Sequence, residues 1–314
     1  MKRKIVAILA ITLACLLNVQ GVFPWGSLTH AYITSQIVTQ GGILRNNAIY
    51  GSTAPDFANY MFASPYQGYL MDRTHVDFLR VFKMARGGPA YRAERAAAFG
   101  YVAHNDEDYT AHSMSQTLDP NMGYVIQKAE ILNQLLADYG VWGQLGLSGD
   151  EFAPLREELS HELIEFAGDY MIALTNPAAG QLLSDSAART YGGFPSLLSK
   201  AYAGNLVAYS NRNGIRLTQP AAAGILAGGE LMFRGGMMQY GQLFSYDDPD
   251  ELLLNMAVYL QMLAAQLGIV ITDPASIVPI LQAALFVIQD DFAGEMYQTV
   301  QFTAERLAMQ KVVF

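Results

Sequence analysis

The chain has 314 residues, of which 52% are hydrophobic and only 15% are charged, and its formal net charge is -9. This composition predicts a compact, heavily buried fold and excludes an intrinsically disordered chain. The length is sufficient for one large domain or for two. Because no basic run lies beyond the first few residues, the charge balance disfavours general electrostatic binding to nucleic acid or to an anionic membrane.

The N-terminal segment Met1–Gly21 is typical of a signal peptide. A short basic cluster, Lys2-Arg-Lys, precedes an uncharged apolar run from Ile5 to Leu17, and this run is short for a membrane span. We therefore expect the protein to be exported, either into the medium or into the periplasm or cell envelope.

A single cysteine, Cys15, lies inside this segment. A lipid anchor at Cys15 is the less favoured alternative, because Thr12 stands where a lipoprotein signal usually has Leu. Cleavage after Gly21 would leave a chain without cysteine, so any zinc site would use nitrogen and oxygen ligands.

Beyond the signal segment the apolar residues follow helical spacing, and strand alternation is absent. A first helix is predicted from about Thr29 to Gly41, capped by Ser27 or Thr29, and Gly51–Phe57 is predicted as a loop because of its Gly, Ser and Pro content. Further helices are predicted at 69–86, 90–115, 122–139, from Ser148 to about Leu174, and at 251–267, 277–288 and 293–312. The sequence therefore predicts an all-α fold.

The composition changes after Asn176-Pro177. All five histidines precede this point, whereas Gly, Met and Tyr become frequent after it. We predict a helical domain at residues 22–176 and a helical C-terminal region at 177–314. The apolar stretches of the second region predict buried helices, and the Met-rich and Gly-rich stretch 227–244 fits either a mobile apolar rim or ordinary core.

The stretch from Gly100 to His112 carries the most specific local pattern. His104, Asp108 and His112 are four residues apart, so on a helix all three side chains share one face. Imidazole and carboxylate groups on one stripe suit Zn²⁺, whereas an unpaired carboxylate is costly in a core. Taken alone, this pattern is equally consistent with an exposed polar face.

The other three histidines are individually weak signals. His30 lies near a predicted helix start, His75 lies beside Asp77, and His161 precedes Glu165 by four residues as a surface pair would. A single polynuclear metal site would account for all five histidines together.

The order of these motifs resembles the superfamily of zinc-dependent phospholipase C and S1/P1-type nucleases. The matching pieces, from about residue 25 to 170, are Trp25 shortly before His30, Pro55-Asp56, the helical His75, Gly100-x3-His104-x3-Asp108 with His112, and His161-x3-Glu165. The resemblance implies an all-α bundle like that of zinc phospholipase C or P1 nuclease, here with a helical C-terminal extension, and a site holding two to three zinc ions.

The resemblance also implies a distribution of ligands. One zinc ion would be held by Asp56, His75, His104 and Asp108, a second by His112, His161 and Glu165, and a third by His30 and Asp108. Trp25 would complete the third site with its amine and carbonyl if it were the N-terminal residue, but the predicted cleavage leaves Val22-Phe-Pro24 ahead of it. His112 follows Asp108 by four residues, where many members have six. Asp56 would also orient or deprotonate the attacking water, as the catalytic residue.

The leading hypothesis is an exported zinc-dependent phosphodiesterase of the phospholipase C type, which hydrolyses phospholipid or small phosphodiester head groups by metal-activated water. The acidic charge balance and the 227–244 stretch favour a lipid, with peripheral membrane contact and no stable nucleic-acid binding. One alternative is an S1/P1-type single-strand nuclease that would stack bases on Tyr60, Phe62 and Tyr66. Another is a non-catalytic zinc-binding protein associated with a membrane.

Overall fold

The computed structural model describes residues 25–61, 64–189, 191–266 and 270–314. Within these ranges the chain forms 14 α-helices joined by turns and short 3₁₀ segments, and it contains no strand. The predicted all-α fold is confirmed. The predicted signal peptide, Cys15 and Val22–Pro24 lie outside the described residues.

The helices bear the following labels. The first eight helices, with the 3₁₀ segment that follows α2, are α1 Ser27–Ile37, α2 Gly42–Thr53, the 3₁₀ segment Ala54–Tyr60, α3 Gln67–Val76, α4 Leu79–Met84, α5 Arg92–His112, α6 Tyr124–Asp138, α7 Val141–Gln144 and α8 Ala153–Thr175. The later helices are α9 Ala179–Ala188, α10 Phe194–Arg212, α11 Gln219–Leu243, α12 Pro249–Gln266, α13 Val278–Ile288 and α14 Phe292–Met309.

The prediction of a loop at Gly51–Phe57 is wrong. Its first three residues complete α2, and Ala54–Tyr60 continues as a 3₁₀ segment with Pro55 near its start. Proline is tolerated there because the first N–H groups of a helix have no intrahelical acceptor. The helix predicted at 69–86 is also divided, since α3 ends at Val76 and α4 begins at Leu79. Its apolar spacing continues across the break, which is why the pattern resembled one helix.

Helices α2 and α5 cross in direct backbone contact. A Cβ on Gly100 would overlap the carbonyl of Ala48, and one on Gly51 would overlap the carbonyl of Ala97. Only glycine allows this approach from both sides. The crossing places the last turn of α2 beside the α5 stripe that carries His104.

The C-terminal region packs against the same core. One cluster of buried apolar side chains extends from Trp25 to Val312. The glycines of α11 allow close approach to the 3₁₀ segment, with Gly229 against Phe57 and Met61 and Gly236 against Tyr60. The stretch 227–244 is therefore part of a helix with one face in the core, and only its other face exposes apolar side chains.

No single helix in the described ranges is long and apolar enough to cross a membrane. One pair of helices, Pro274–Ile288 and Phe292–Met309, has sufficient length and apolar character when taken together, but the pair is bent by 65°.

Candidate metal centre

Five elements bring the predicted ligands together. The ligand atoms of His30, Asp56 and His104 lie within 4.8 Å of one another, and so do those of His112, His161 and Glu165. Helix α5 contributes to both groups, because its four-residue spacing puts His104 and His112 on one face two turns apart.

The first group includes His75 as well. His75 Nε2 lies 3.1 Å from His104 Nε2 and 3.4 Å from Asp56 Oδ1, and His104 Nε2 lies 3.9 Å from the same oxygen. Ligands at about 2.0–2.1 Å from a tetrahedral zinc ion are separated by about 3.3 Å. The three donor atoms are thus spaced as zinc ligands are.

Backbone carbonyls fix the orientation of both imidazoles. His104 Nδ1 donates to the carbonyl of Ser52 at 2.7 Å, and His75 Nδ1 donates to the carbonyl of Met71 at 2.8 Å. Each ring therefore turns its Nε2 toward the other ring. Two lone pairs at 3.1 Å repel each other unless a proton or a metal ion lies near both, so this donor set fits a cation.

His30 is oriented by a carboxylate. Its Nδ1 lies 2.5 Å from Glu107 Oε2, and Glu107 Oε1 accepts a hydrogen bond from Thr34 at 2.8 Å. The His30 ring stacks on His104, and its buried Nε2 has no hydrogen-bond partner among the described residues. A buried nitrogen without a partner is costly, and metal-binding histidines commonly hold a carboxylate through the other nitrogen.

Glu107 was missed by sequence reasoning. It is fully buried and lies three residues after His104 on α5. The available signal was its position one helical turn after His104. It was overlooked because Glu107 lies within a run of three acidic residues, between Asp106 and Asp108.

The second group is built by α5 and α8. His112 Nε2 lies 3.1 Å from His161 Nε2 and 3.8 Å from Glu165 Oε1, and His161 Nε2 lies 2.6 Å from that oxygen. His112 follows Asp108 by four residues, and it therefore lies in the last turn of α5. Although many family members have six residues here, the shorter spacing still places the His112 ring in the second group.

Asp108 lies on α5 between His104 and His112 and contacts His112, with its Oδ1 2.7 Å from His112 Nδ1. It belongs to neither of the two groups of converging ligand atoms, so its predicted role as a shared ligand stays a prediction. Burial raises the pKa of Asp108, but the charges of His112, His75 and His104 lower it by more. Burial would lower the pKa of His112, but Asp108 and Glu165 raise it to about 9. In the same way, Asp56 outweighs burial and raises the pKa of His75 to about 9. Protons on these rings balance the carboxylates, a role that a bound dication would take over.

Burial acts differently on the remaining groups. It raises the pKa of Asp56 to about 6, and it holds the pKa of His30 and that of His104 well below the usual histidine value. Neutral His30 and His104 are in the protonation state that a metal ligand requires.

The start of α1 is capped from α8. Asp169 accepts hydrogen bonds from the backbone N–H groups of Leu28 and Thr29, from the Thr29 hydroxyl and from Tyr240. The prediction that Ser27 or Thr29 caps α1 is therefore wrong, because α8 supplies the capping carboxylate one turn beyond Glu165.

Trp25 lies in the core immediately before α1. Its indole donates to Thr110 Oγ1 at 3.1 Å and packs on Tyr124 and Phe292. The predicted ligation uses the backbone of Trp25, and it stays a prediction.

Two of the aromatic residues considered for base stacking are engaged elsewhere. Tyr66 is buried with its hydroxyl bonded to Ser210, and Tyr60 packs edge-on against Phe233. Phe62 lies outside the described residues. The described part of the 60–66 segment therefore gives no support to a base-stacking platform.

Comparison with known proteins gives one family. The model of the family described as zinc dependent phospholipase C matches residues 29–206, which is more than half of the chain and contains every predicted ligand except Trp25. No curated protein and no solved structure matches the chain. The family implies a hydrolase of phosphodiester bonds with a phospholipid as its substrate. The chain belongs to the zinc-dependent phospholipase C family.

Proposed function

We propose that this protein is exported and that it releases the phosphorylated head group from phosphatidylcholine or a similar lipid, using two to three zinc ions. The pair of Nε2 atoms of His75 and His104, which face each other at 3.1 Å beside Asp56, is the observation that carries the proposal. When bound, zinc polarises a phosphoryl oxygen and makes water more acidic.

We assign metal binding to the two groups described above. His75, His104 and Asp56 would hold one ion, and His112, His161 and Glu165 would hold another, with Asp108 shared between the groups. A third ion would use His30 with Asp108, although the ligand atoms of His30 converge with those of Asp56 and His104, which are already assigned to the first ion. The backbone of Trp25 would join it only if processing exposes the Trp25 amine.

Asp56 has the properties of the general base. In the metal-free protein burial raises its pKa to about 6, so near neutral pH the carboxylate is ionised and can accept a hydrogen bond from water or bind a cation. The 3₁₀ segment fixes it, because Gly229 and Gly236 of α11 pack directly on that segment.

The lipid is favoured over single-stranded nucleic acid by charge. A polymer requires positive charge along its path, whereas the chain has a net charge of -9 and no run of consecutive basic residues beside the ligand segments. A lipid head group requires only one phosphodiester at the metal centre and an apolar surface for peripheral membrane contact.

The test compares phosphatidylcholine with single-stranded DNA in the presence of excess zinc. We expect zinc-dependent head-group release, little DNA cleavage, and a loss of at least about a hundredfold in the Asp56→Asn variant if Asp56 is the base. Rapid DNA digestion without lipid turnover would move the protein to the nuclease class. A protein that binds zinc and turns over neither substrate would be the non-catalytic alternative.

Export has its own readout. N-terminal sequencing of the protein from the medium or periplasm should begin after Gly21, and a retained Met1 would contradict the proposed processing.

A further inference from the structure

The outer face of α12 is unusual for a protein surface. Leu254, Val258 and Met262 are 45%, 38% and 54% exposed, and their four-residue spacing aligns them along one stripe. We call these three residues the α12 stripe. A surface helix normally presents polar or charged residues to water.

The sequence around the stripe contains no basic residue. Asp247, Asp248, Asp250 and Glu251 precede the stripe, and between Glu251 and Asp290 the only charged residue is Asp273. Ile131 on α6, which is also exposed, has a different setting, since Lys128 lies three residues before it. The α12 stripe therefore has acidic residues at its N-terminal end and an uncharged sequence along its own length.

Tyr259 of α12 contacts two of the elements that carry predicted ligands. It follows Val258 directly, its hydroxyl hydrogen-bonds that of Tyr60, and its ring lies 5.7 Å from Phe166. Tyr60 ends the 3₁₀ segment that holds Asp56, and Phe166 follows Glu165. The inner edge of α12 thus borders the elements that carry both ligand groups, while the stripe faces outward.

We propose that the α12 stripe is the surface with which the protein docks on a zwitterionic phospholipid bilayer. The proposal rests on the proposed lipid substrate and adds where the protein meets it. Residues 235–305 contain no Lys or Arg and acidic residues precede the stripe, which favours a zwitterionic surface, because docking on anionic lipid uses Lys and Arg. Apolar side chains that enter the acyl boundary supply the binding free energy.

The test uses the full-length protein with three substitutions in the stripe, Leu254→Gln, Val258→Thr and Met262→Gln. Binding is measured by flotation with vesicles of a phosphatidylcholine analogue whose head-group bond is not hydrolysed. We expect the triple variant to bind about tenfold or more weakly than the unmodified protein. The matched control Ile131→Gln, on α6, should bind normally, and adding anionic lipid should not strengthen binding.

Activity separates docking from chemistry. The triple variant should lose turnover of vesicle phosphatidylcholine in proportion to binding, while turnover of a soluble short-chain phosphatidylcholine stays within about twofold. Unchanged vesicle binding by the triple variant would overturn the proposal. So would a dimer of the unmodified protein that the triple substitution dissociates, since the stripe would then contact a second copy.

The two proposals fail differently. If the unmodified protein hydrolyses neither the vesicle lipid nor the soluble lipid, the proposed function fails, yet flotation still decides whether the stripe binds a bilayer.

Discussion

The regions before and after residue 176 both contain buried carboxylates, but the groups around these carboxylates differ. In the C-terminal region Glu230 accepts the Tyr50 hydroxyl and pairs with Arg234, and Glu295 accepts hydrogen bonds from Ser115 and from the backbone and hydroxyl of Thr117. These groups have donors that satisfy them. Burial of a carboxylate is therefore not itself the mark of a metal site.

The metal centre differs because its buried imidazoles face one another, whereas Asp169, which is also buried in the N-terminal region, has donors that satisfy it as Glu230 has. At the metal centre imidazole nitrogens approach each other at 3.1 Å in both ligand groups, and His30 Nε2 has no partner among the described residues. Without a metal ion this arrangement requires protons on the rings, and a cation would take their place. The comparison teaches that imidazoles whose Nε2 atoms face one another, rather than buried charge, identify the site.

The largest expected effect tests this comparison by removing metal. Zinc present at a thousandfold excess over its Kd stabilises a protein by about 4 kcal/mol, so chelation should lower the Tm of a chain of this length by about 6 °C. Scanning calorimetry with and without chelator measures this. An unchanged Tm would mean that the N-terminal groups are satisfied in the way that Glu230 is.

The second prediction compares two carboxylates of the metal centre. Asp108→Asn should lower activity by more than about a hundredfold and reduce zinc content at both groups, because Asp108 lies between them. Glu165→Gln should weaken one group only. The measurements are zinc per chain and kcat/KM, and equal zinc loss in the two variants would argue against a shared Asp108.

The third prediction compares the two regions by means of one Glu→Gln variant in each. Glu107→Gln should weaken zinc affinity by about 10–100-fold, because Glu107 orients His30. Glu295→Gln should cost about 1–3 kcal/mol of stability through lost hydrogen bonds and leave zinc content unchanged. Zinc titration and denaturant unfolding of both variants give the answer. A loss of zinc from the Glu295 variant would show that the regions are not separable.

The smallest effect concerns pH. In the metal-free protein the pKa values of His75 and His112 are raised to about 9, so the stability from their carboxylate pairs is complete below about pH 6.5 and is lost as pH rises to about 9. Zinc competes with the same protons, so its stabilising effect should grow over that window. Thermal unfolding at pH 6.5 and pH 9, with zinc and with chelator, measures the difference. A gap in Tm that narrows with rising pH would contradict the assignment.

The local parts of the site were predictable from sequence. The α5 residues His104, Asp108 and His112 and the α8 pair His161 and Glu165 share faces because helical spacing alone decides it. Patterns of this kind require no knowledge of tertiary structure.

The parts that depend on distant contacts were not predictable. Glu107 meets His30 across 77 residues, and Asp169 caps α1 across 140 residues. Local residues also misled the prediction at Gly51–Phe57, where Gly and Pro suggested a loop. There Gly51 is required by the crossing with α5, and Pro55 begins a 3₁₀ segment.

The four-residue spacing on α5 and α8 restricts how the length of this chain can vary. One residue inserted between His104 and His112 would rotate the following side chains by about 100° and turn His112 out of its group. The same insertion in the turns after α5, at residues 113–123, leaves every ligand in phase. Length differences among functional variants of this protein should therefore accumulate in the connections and be absent from the middle of these two helices.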